Sequence, residues 1–149
     1  HRDLHSFPTR RSSYLWQSVA RARVHSGAGV DEHRQPAGLI ELDELSEKEC
    51  LCSMTLNKNH LNAYGGVMGG VIFTLADFAF AVLSNQLHKP TVAQQVSINY
   101  LNAPKGKKLF ARAICKKDGR TTSVLNIDVF DDVGRDVAQF IGTGFKLNI

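Results

Sequence analysis

The sequence predicts an α+β fold in which an antiparallel β-sheet wraps around one long helix. Three observations carry this. Only one stretch, GGVIFTLADFAFAVLSN from Gly69 to Asn85, is a long helical candidate. Segments of alternating polarity flank it on both sides, with the period of half-buried strands. Short turns containing Gly, two of them Asp-rich, separate the later segments as hairpins require.

The elements follow in order. Leu39 to Leu45 is expected to pair with Glu47 to Leu56, where Cys50, Cys52, Met54 and Leu56 share one face and Leu51, Ser53 and Thr55 the other. The helix follows a glycine-rich stretch and stops before the HKP turn at Pro90. Four strands are then predicted: Thr91–Leu101, Lys107–Lys117, Thr121–Asp131 and Asp136–Leu147, separated by APKG, KKDGR and DDVGR. Val96, Ile98 and Tyr100 fall on one face, as do Leu125, Ile127 and Val129. The helix itself reads as apolar on nearly every side, so it is either buried in protein or crosses a membrane. Gly65 to Ser84 reaches the required length of about 20 residues. Asp77 near its middle would cost about 3 kcal/mol on insertion, and alternating strands suit water. No membrane association is expected, and the helix is placed inside the sheet.

A chain of 149 residues suits one domain. Its 43% hydrophobic content is that of a globular protein with a core. Three cysteines do not make a disulfide framework. Two residues apart on one strand, Cys50 and Cys52 sit about 6.8 Å from each other, too far to bridge. No Cys/His group has metal-ligand spacing, so no metal site is expected. Reduced thiols point to the cytoplasm. The net charge of +4 is uneven: residues 1–36 hold six Arg, no Lys and three acids, while the remainder holds nine Lys, three Arg and eleven acids. The body is nearly neutral and offers no basic face for nucleic acid. Residues 1–36 are expected to be a non-native or disordered leader. Their opening, HRDLHSFPTRRSS, resembles the translated read-through of a sequencing-library adapter. The working domain is residues 37–149.

One ordered set of residues goes further: Asn62, then Met68-Gly69-Gly70, Phe73 and Leu75-Ala76-Asp77, followed by SINYLNAP (Ser97–Pro104), the Gly119-Arg120 turn and FIGTGFKL (Phe140–Leu147). This set resembles the signature of the PaaI-like acyl-CoA thioesterases of the hotdog fold, and the resemblance covers about residues 37–149. That family usually carries His where this chain has Met68.

The resemblance implies hydrolysis of acyl-CoA thioesters, with aryl-acetyl or medium-chain acyl groups as substrates. Coenzyme A is then part of the substrate, and no separate cofactor is implied. The chemistry needs donors for an oxyanion and a base or nucleophile for the acyl carbon. Glycines at a helix N-terminus supply unpaired N–H groups, a positive dipole end and close backbone approach. Gly69 is the expected donor with Gly70 assisting, and one such donor is worth roughly 3 kcal/mol in a comparable site. By resemblance Asp77 either attacks the carbonyl to give a mixed anhydride or activates a water; the alternative is a structural acid bonded to Thr74. Asn62 either orients water or thioester, or forms an Asx-turn. His60 is a second base or a solvated loop residue. Gln94 or Gln95 lies where relatives place a polar residue beside the acid, and Gln94 shares parity with Val96 and Ile98. Arg120, beside Lys116 and Lys117, is placed for the phosphates of coenzyme A or is simply solvated. Phe73, Phe78 and Phe80 line the acyl pocket or fill the core.

A hotdog dehydratase or hydratase is a poorer reading, since neither H-x-x-x-x-P-G nor D-x-N-P-x-H occurs around Asn62. A non-catalytic acyl-CoA-binding or sensor module is the alternative. The family resemblance implies a homodimer as the minimal unit, with association to a homotetramer. Geometry agrees with a shared site: Asp77 lies eight residues past Gly69, about 12 Å along the axis, too far for both to serve one carbonyl.

Overall fold

The computed structural model describes residues 40–149; the leader expected over residues 1–36 lies outside them. In chain order the elements are β1 (Ile40–Leu45), β2 (Glu49–Thr55), a 3₁₀ turn (Lys58–His60), α1 (Gly69–Leu87), β3 (Thr91–Tyr100), β4 (Lys108–Asp118), β5 (Thr122–Asp131) and β6 (Asp136–Lys146). The six strands form one sheet in the order β1-β2-β4-β5-β6-β3, every neighbouring pair antiparallel. β1 and β3 are its two edges. One helix held inside a curled antiparallel sheet is the hotdog arrangement the sequence predicts.

Alternation builds the inner face. Cys50, Cys52 and Met54 of β2, Leu109, Ala111 and Ala113 of β4, and Leu125, Ile127 and Val129 of β5 are all buried against the helix core. Cys50 and Cys52 are free thiols. Burying such a face at about 25 cal/mol per Å² of apolar area is the main stabilising term. Small residues on the sheet let the helix approach closely. A Cβ on Gly142 would lie 2.5 Å from the Phe80 ring, so only glycine fits beneath it. Phe140 then packs edge-on to Phe73, with ring centroids 5.4 Å apart.

Several expectations change in detail. β2 starts at Glu49, because Ser46–Lys48 form the turn from β1. α1 runs on to Leu87 and ends at His88. β3 carries a bulge between Ala93 and Gln95, which makes Gln94 the extra residue of its strand. The largest difference is that α1 is not covered all round. Gly70 and Thr74 are exposed, while Asp77 and Ala81 are half-buried. Their spacing of i, i+4, i+7, i+11 puts them in one stripe along the helix. Although α1 touches all six strands, the sheet leaves this stripe uncovered. By length and composition alone α1 would pass for a membrane span; its buried residues, among them Leu75, Phe78, Phe80 and Leu83, are instead packed on the sheet.

Candidate active site

The loop between β2 and α1 is built to aim the start of the helix. Asn57 caps the 3₁₀ turn: its side chain accepts from the Asn59 N–H at 2.8 Å. The Asn57 N–H in turn donates to Nδ1 of His60 at 3.0 Å, closing a capping box. Nδ1 is thereby the acceptor of this bond, which leaves Nε2 as the ring nitrogen facing out of it. The His60 carbonyl accepts from the Met68 N–H at 2.9 Å. His60 thus anchors the loop through Nδ1 and its carbonyl, while the residue as a whole stays half-buried.

Asn62 completes the loop. Its Oδ1 accepts from the N–H groups of Tyr64 at 2.9 Å and Gly66 at 3.1 Å. That is the Asx-turn alternative, and it commits the oxygen to the backbone. Gly65 supplies the left-handed step, with φ of 79°. The loop delivers Met68 as the N-cap residue, with φ −62° and ψ 136° and no side-chain cap. A thioether is a poor acceptor, so the first-turn donors keep no cap. The N–H groups of Val71 and Ile72 turn back to the Met68 carbonyl, at 3.0 and 3.4 Å. Those of Gly69 and Gly70 donate to no backbone or side-chain acceptor among the described residues. Two adjacent amides therefore point out of the positive end of α1.

Asp77 lies two turns further along the same open stripe. Burial pushes its carboxyl above the ordinary value of 3.8, and no hydrogen-bond partner reaches it among the described residues. The Thr74 hydroxyl does not satisfy it, because that group donates to the Gly70 carbonyl at 2.7 Å. A half-buried acid with no internal partner among the described residues is a candidate functional carboxylate.

The site's geometry can now be set beside known proteins. The sequence profile of the thioesterase superfamily matches residues 64–138. The chain belongs to the thioesterase superfamily. Among its relatives is a protein of Archaeoglobus fulgidus provisionally named an esterase, 37% identical over 106 residues, which are 70% of this chain and 69% of that one. Another is the acyl-coenzyme A thioesterase PaaI of Escherichia coli, 29% identical over 109 residues, 72% of this chain and 78% of that one. A solved structure titled as a hypothetical thioesterase protein with coenzyme A, from Streptococcus pneumoniae, superposes with a TM-score of 0.69 at 31% identity, covering 73% of this chain and 86% of that one.

Within this thioesterase-superfamily chain the remaining candidates spread out. Gln94 is exposed on its bulge and has no partner in the strand register. Gln95 is exposed as well, its Nε2 donating to Ser97 Oγ at 3.0 Å. Neither is hydrogen-bonded to Asp77 among the described residues. Arg120 is exposed at the β4–β5 turn. The neighbouring Asp118 gathers Lys48 and Lys146, so that corner is an ion-pair cluster beside an Arg120 side chain that pairs with none of the described residues. Phe78 and Phe80 are core, 4% and 2% exposed, while Phe73 is half-buried and only it borders the open side. Tyr100 was legible only as an inward residue of its strand. Its hydroxyl donates to the Gly69 carbonyl at 3.1 Å, a contact between the last residue of β3 and the first of α1.

Proposed function

We propose that this chain hydrolyses acyl-CoA thioesters, of the aryl-acetyl or medium-chain class, at a site shared between two copies. The observation that carries the reading is the open stripe of α1, which holds two unpartnered amides at one end and an unpartnered carboxyl further along. The names and titles of the relatives support the substrate class: one is an acyl-coenzyme A thioesterase and one is a thioesterase protein with coenzyme A.

The chemistry divides between the two ends. The Gly69 and Gly70 amides receive the oxyanion that forms as the acyl carbon becomes tetrahedral. Asp77 acts as nucleophile, giving a mixed anhydride that water then opens, or as general base toward water. On either route the carbon–sulfur bond breaks, the free acid forms and coenzyme A leaves as its thiol. Asn62 fixes the loop that aims the amides. Arg120 meets the phosphates of coenzyme A.

α1 is continuous from Gly69 to Leu87, so the separation of about 12 Å between Gly69 and Asp77 stands. An Asp side chain leaning toward the N-terminus recovers only about 2–3 Å of it. Two helices antiparallel across a two-fold axis would set Asp77 of one copy beside Gly69 of the other, giving two identical sites. The open stripe supports this, since it leaves a helix face for a second copy to meet. The unpaired β3 edge offers the strand along which two sheets join, and further association gives a tetramer.

Thiol release from a panel of acyl-CoA esters tests the activity, and subunit complementation tests the sharing. Asp77→Asn and Gly69→Ala proteins, each strongly impaired, are mixed after gentle dissociation. Statistical dimers would restore roughly a quarter of wild-type activity, from one intact site in each heterodimer. No thiol release by wild type from any ester overturns the reading; no recovery despite proven exchange overturns the shared site.

A further inference from the structure

Tyr100 ends the edge strand β3, and its inward parity carries the ring over the first turn of α1. The hydroxyl donates to the Gly69 carbonyl oxygen at 3.1 Å. A Cβ on Gly69 would lie 3.3 Å from both Cζ and the hydroxyl oxygen of Tyr100, so the ring sits directly against that residue. The Gly69 carbonyl and the Gly70 N–H are the two ends of one planar, conjugated peptide group. A hydrogen bond accepted by the oxygen draws electron density through the amide and leaves the N–H more positive, the mutual strengthening found in chains of hydrogen bonds. Within the helix that oxygen also accepts from the N–H four residues on; Tyr100 engages its second lone pair.

The neighbouring peptide provides a contrast. Thr74 donates to the Gly70 carbonyl in the same way, at 2.7 Å, and so polarises the Val71 N–H. That N–H is already used on the Met68 carbonyl at 3.0 Å. The Gly70 N–H has no such internal acceptor among the described residues, so its polarisation is available to an incoming anion.

We propose that Tyr100 is a positioning residue, whose hydroxyl fixes the plane of the Gly69–Gly70 peptide and strengthens the Gly70 N–H as a donor to the developing oxyanion. Its effect on turnover rests on the thioesterase reading above. The polarisation itself rests on geometry alone.

The test replaces Tyr100 by Phe, which keeps the ring and removes only the hydroxyl. The backbone amide nitrogen resonance of Gly70 should move upfield, and that of Gly69 much less. Turnover should fall about two- to eight-fold, the share expected if one polarising bond carries 10–30% of a donor worth 10²–10³ in rate. KM should hold, because the interaction strengthens in the transition state. Fluorotyrosines with progressively more acidic hydroxyls, assayed where they stay protonated, should raise kcat in step with acidity while Tm does not follow. A merely structural Tyr100 would move Tm and leave kcat indifferent to hydroxyl acidity. An unmoved Gly70 nitrogen in Tyr100→Phe, or a kcat flat across the fluorotyrosine series, overturns the proposal. If wild type releases no thiol, the thioesterase reading fails, and the Gly70 resonance still decides whether Tyr100 polarises the peptide.

Discussion

Replacing Gly70 by alanine separates what the fold needs at the start of α1 from what a ligand needs there. Gly70 is exposed, and a Cβ built on it meets no heavy atom within 4 Å. Its φ is not in the left-handed region, which among the described glycines belongs to Gly65 and Gly134. Nothing in the fold therefore requires glycine. Alanine narrows the unfolded ensemble and should stabilise the protein by about 0.4–1 kcal/mol, a rise in Tm of about 1–4 °C for a chain of this size. The same methyl projects into the space from which an acyl oxygen would approach the Gly70 N–H. Full loss of one oxyanion donor costs about 10²–10³ in kcat. Crowding rather than removing it should cost a part of that, about tenfold or more. Gly69→Ala makes a less clean comparison, since its Cβ would press on Tyr100 at 3.3 Å and the ring would have to give. Calorimetry and thiol release, run on the same preparation, read both effects. A higher Tm with unchanged turnover would refute the role of the Gly70 amide as an oxyanion donor. A lower Tm would show that the fold needs this glycine after all.

Two further predictions concern carboxylates with opposite signs. Burial holds Asp77 above the ordinary 3.8, so its ionisation opposes folding as pH rises from the unfolded pKa through the folded one. Asp77→Asn should therefore unfold at a higher temperature than wild type near neutral pH, with the gap closing in acid; no gap in thermal scans across pH would mean that the carboxylate is satisfied in solution. For Asp131, burial alone would raise the pKa, yet the backbone N–H groups of Arg135, Lys105, Gly106 and Val133 hold it below 3.8. Its contribution is present above the unfolded pKa and lost as pH falls through the lowered one. Asp131→Asn, which loses an acceptor oxygen from that clamp, should cost about 2 kcal/mol near neutral pH, and an unchanged urea midpoint would show that the clamp does not hold the two loops.

What was legible in the sequence was whatever a period or a turn encodes. The strands follow from alternation, and Leu125, Ile127 and Val129 sit where parity puts them, all buried. The helix follows from Gly69 and from the run behind it. The open stripe was hidden, because along the chain Asp77 stands between Ala76 and Phe78, both buried. On the helix surface its neighbours are instead Gly70, Thr74 and Ala81, the small and polar members of the run. Counting apolar residues in every direction overlooks how small these are. For Gln94, parity counting assumes an unbroken strand, and the bulge at Ala93–Gln95 breaks it. His60 and Asn62 were visible as polar loop residues, but which of their atoms face the backbone depends on a capping box and an Asx-turn that no spacing rule resolves. The Tyr100 contact joins residues 31 apart in sequence, and only the way β3 lies against α1 brings them together.

The two halves of the proposed site are held by different forces, which bears on how they would respond to change. Asp77 is fixed through the helix backbone it sits on, whose opposite face is packed: Leu75, Ala76, Ala79 and Phe80 are at most 2% exposed, and a packed core yields little to single surface changes. The Gly69–Gly70 amides are fixed by hydrogen bonds among exposed or half-buried groups: the His60 carbonyl accepts from the Met68 N–H, Asn62 Oδ1 accepts from Tyr64 and Gly66, and the Tyr100 hydroxyl donates to Gly69. Each such bond is worth only about 1 kcal/mol net, so each can be lost without unfolding the chain. Substitutions in the loop should then alter turnover at nearly constant stability, whereas core substitutions around Asp77 should lower both together. The amide end is the adjustable half of the proposed site, and Met68, which gives the first turn no side-chain cap, stands there rather than near the acid.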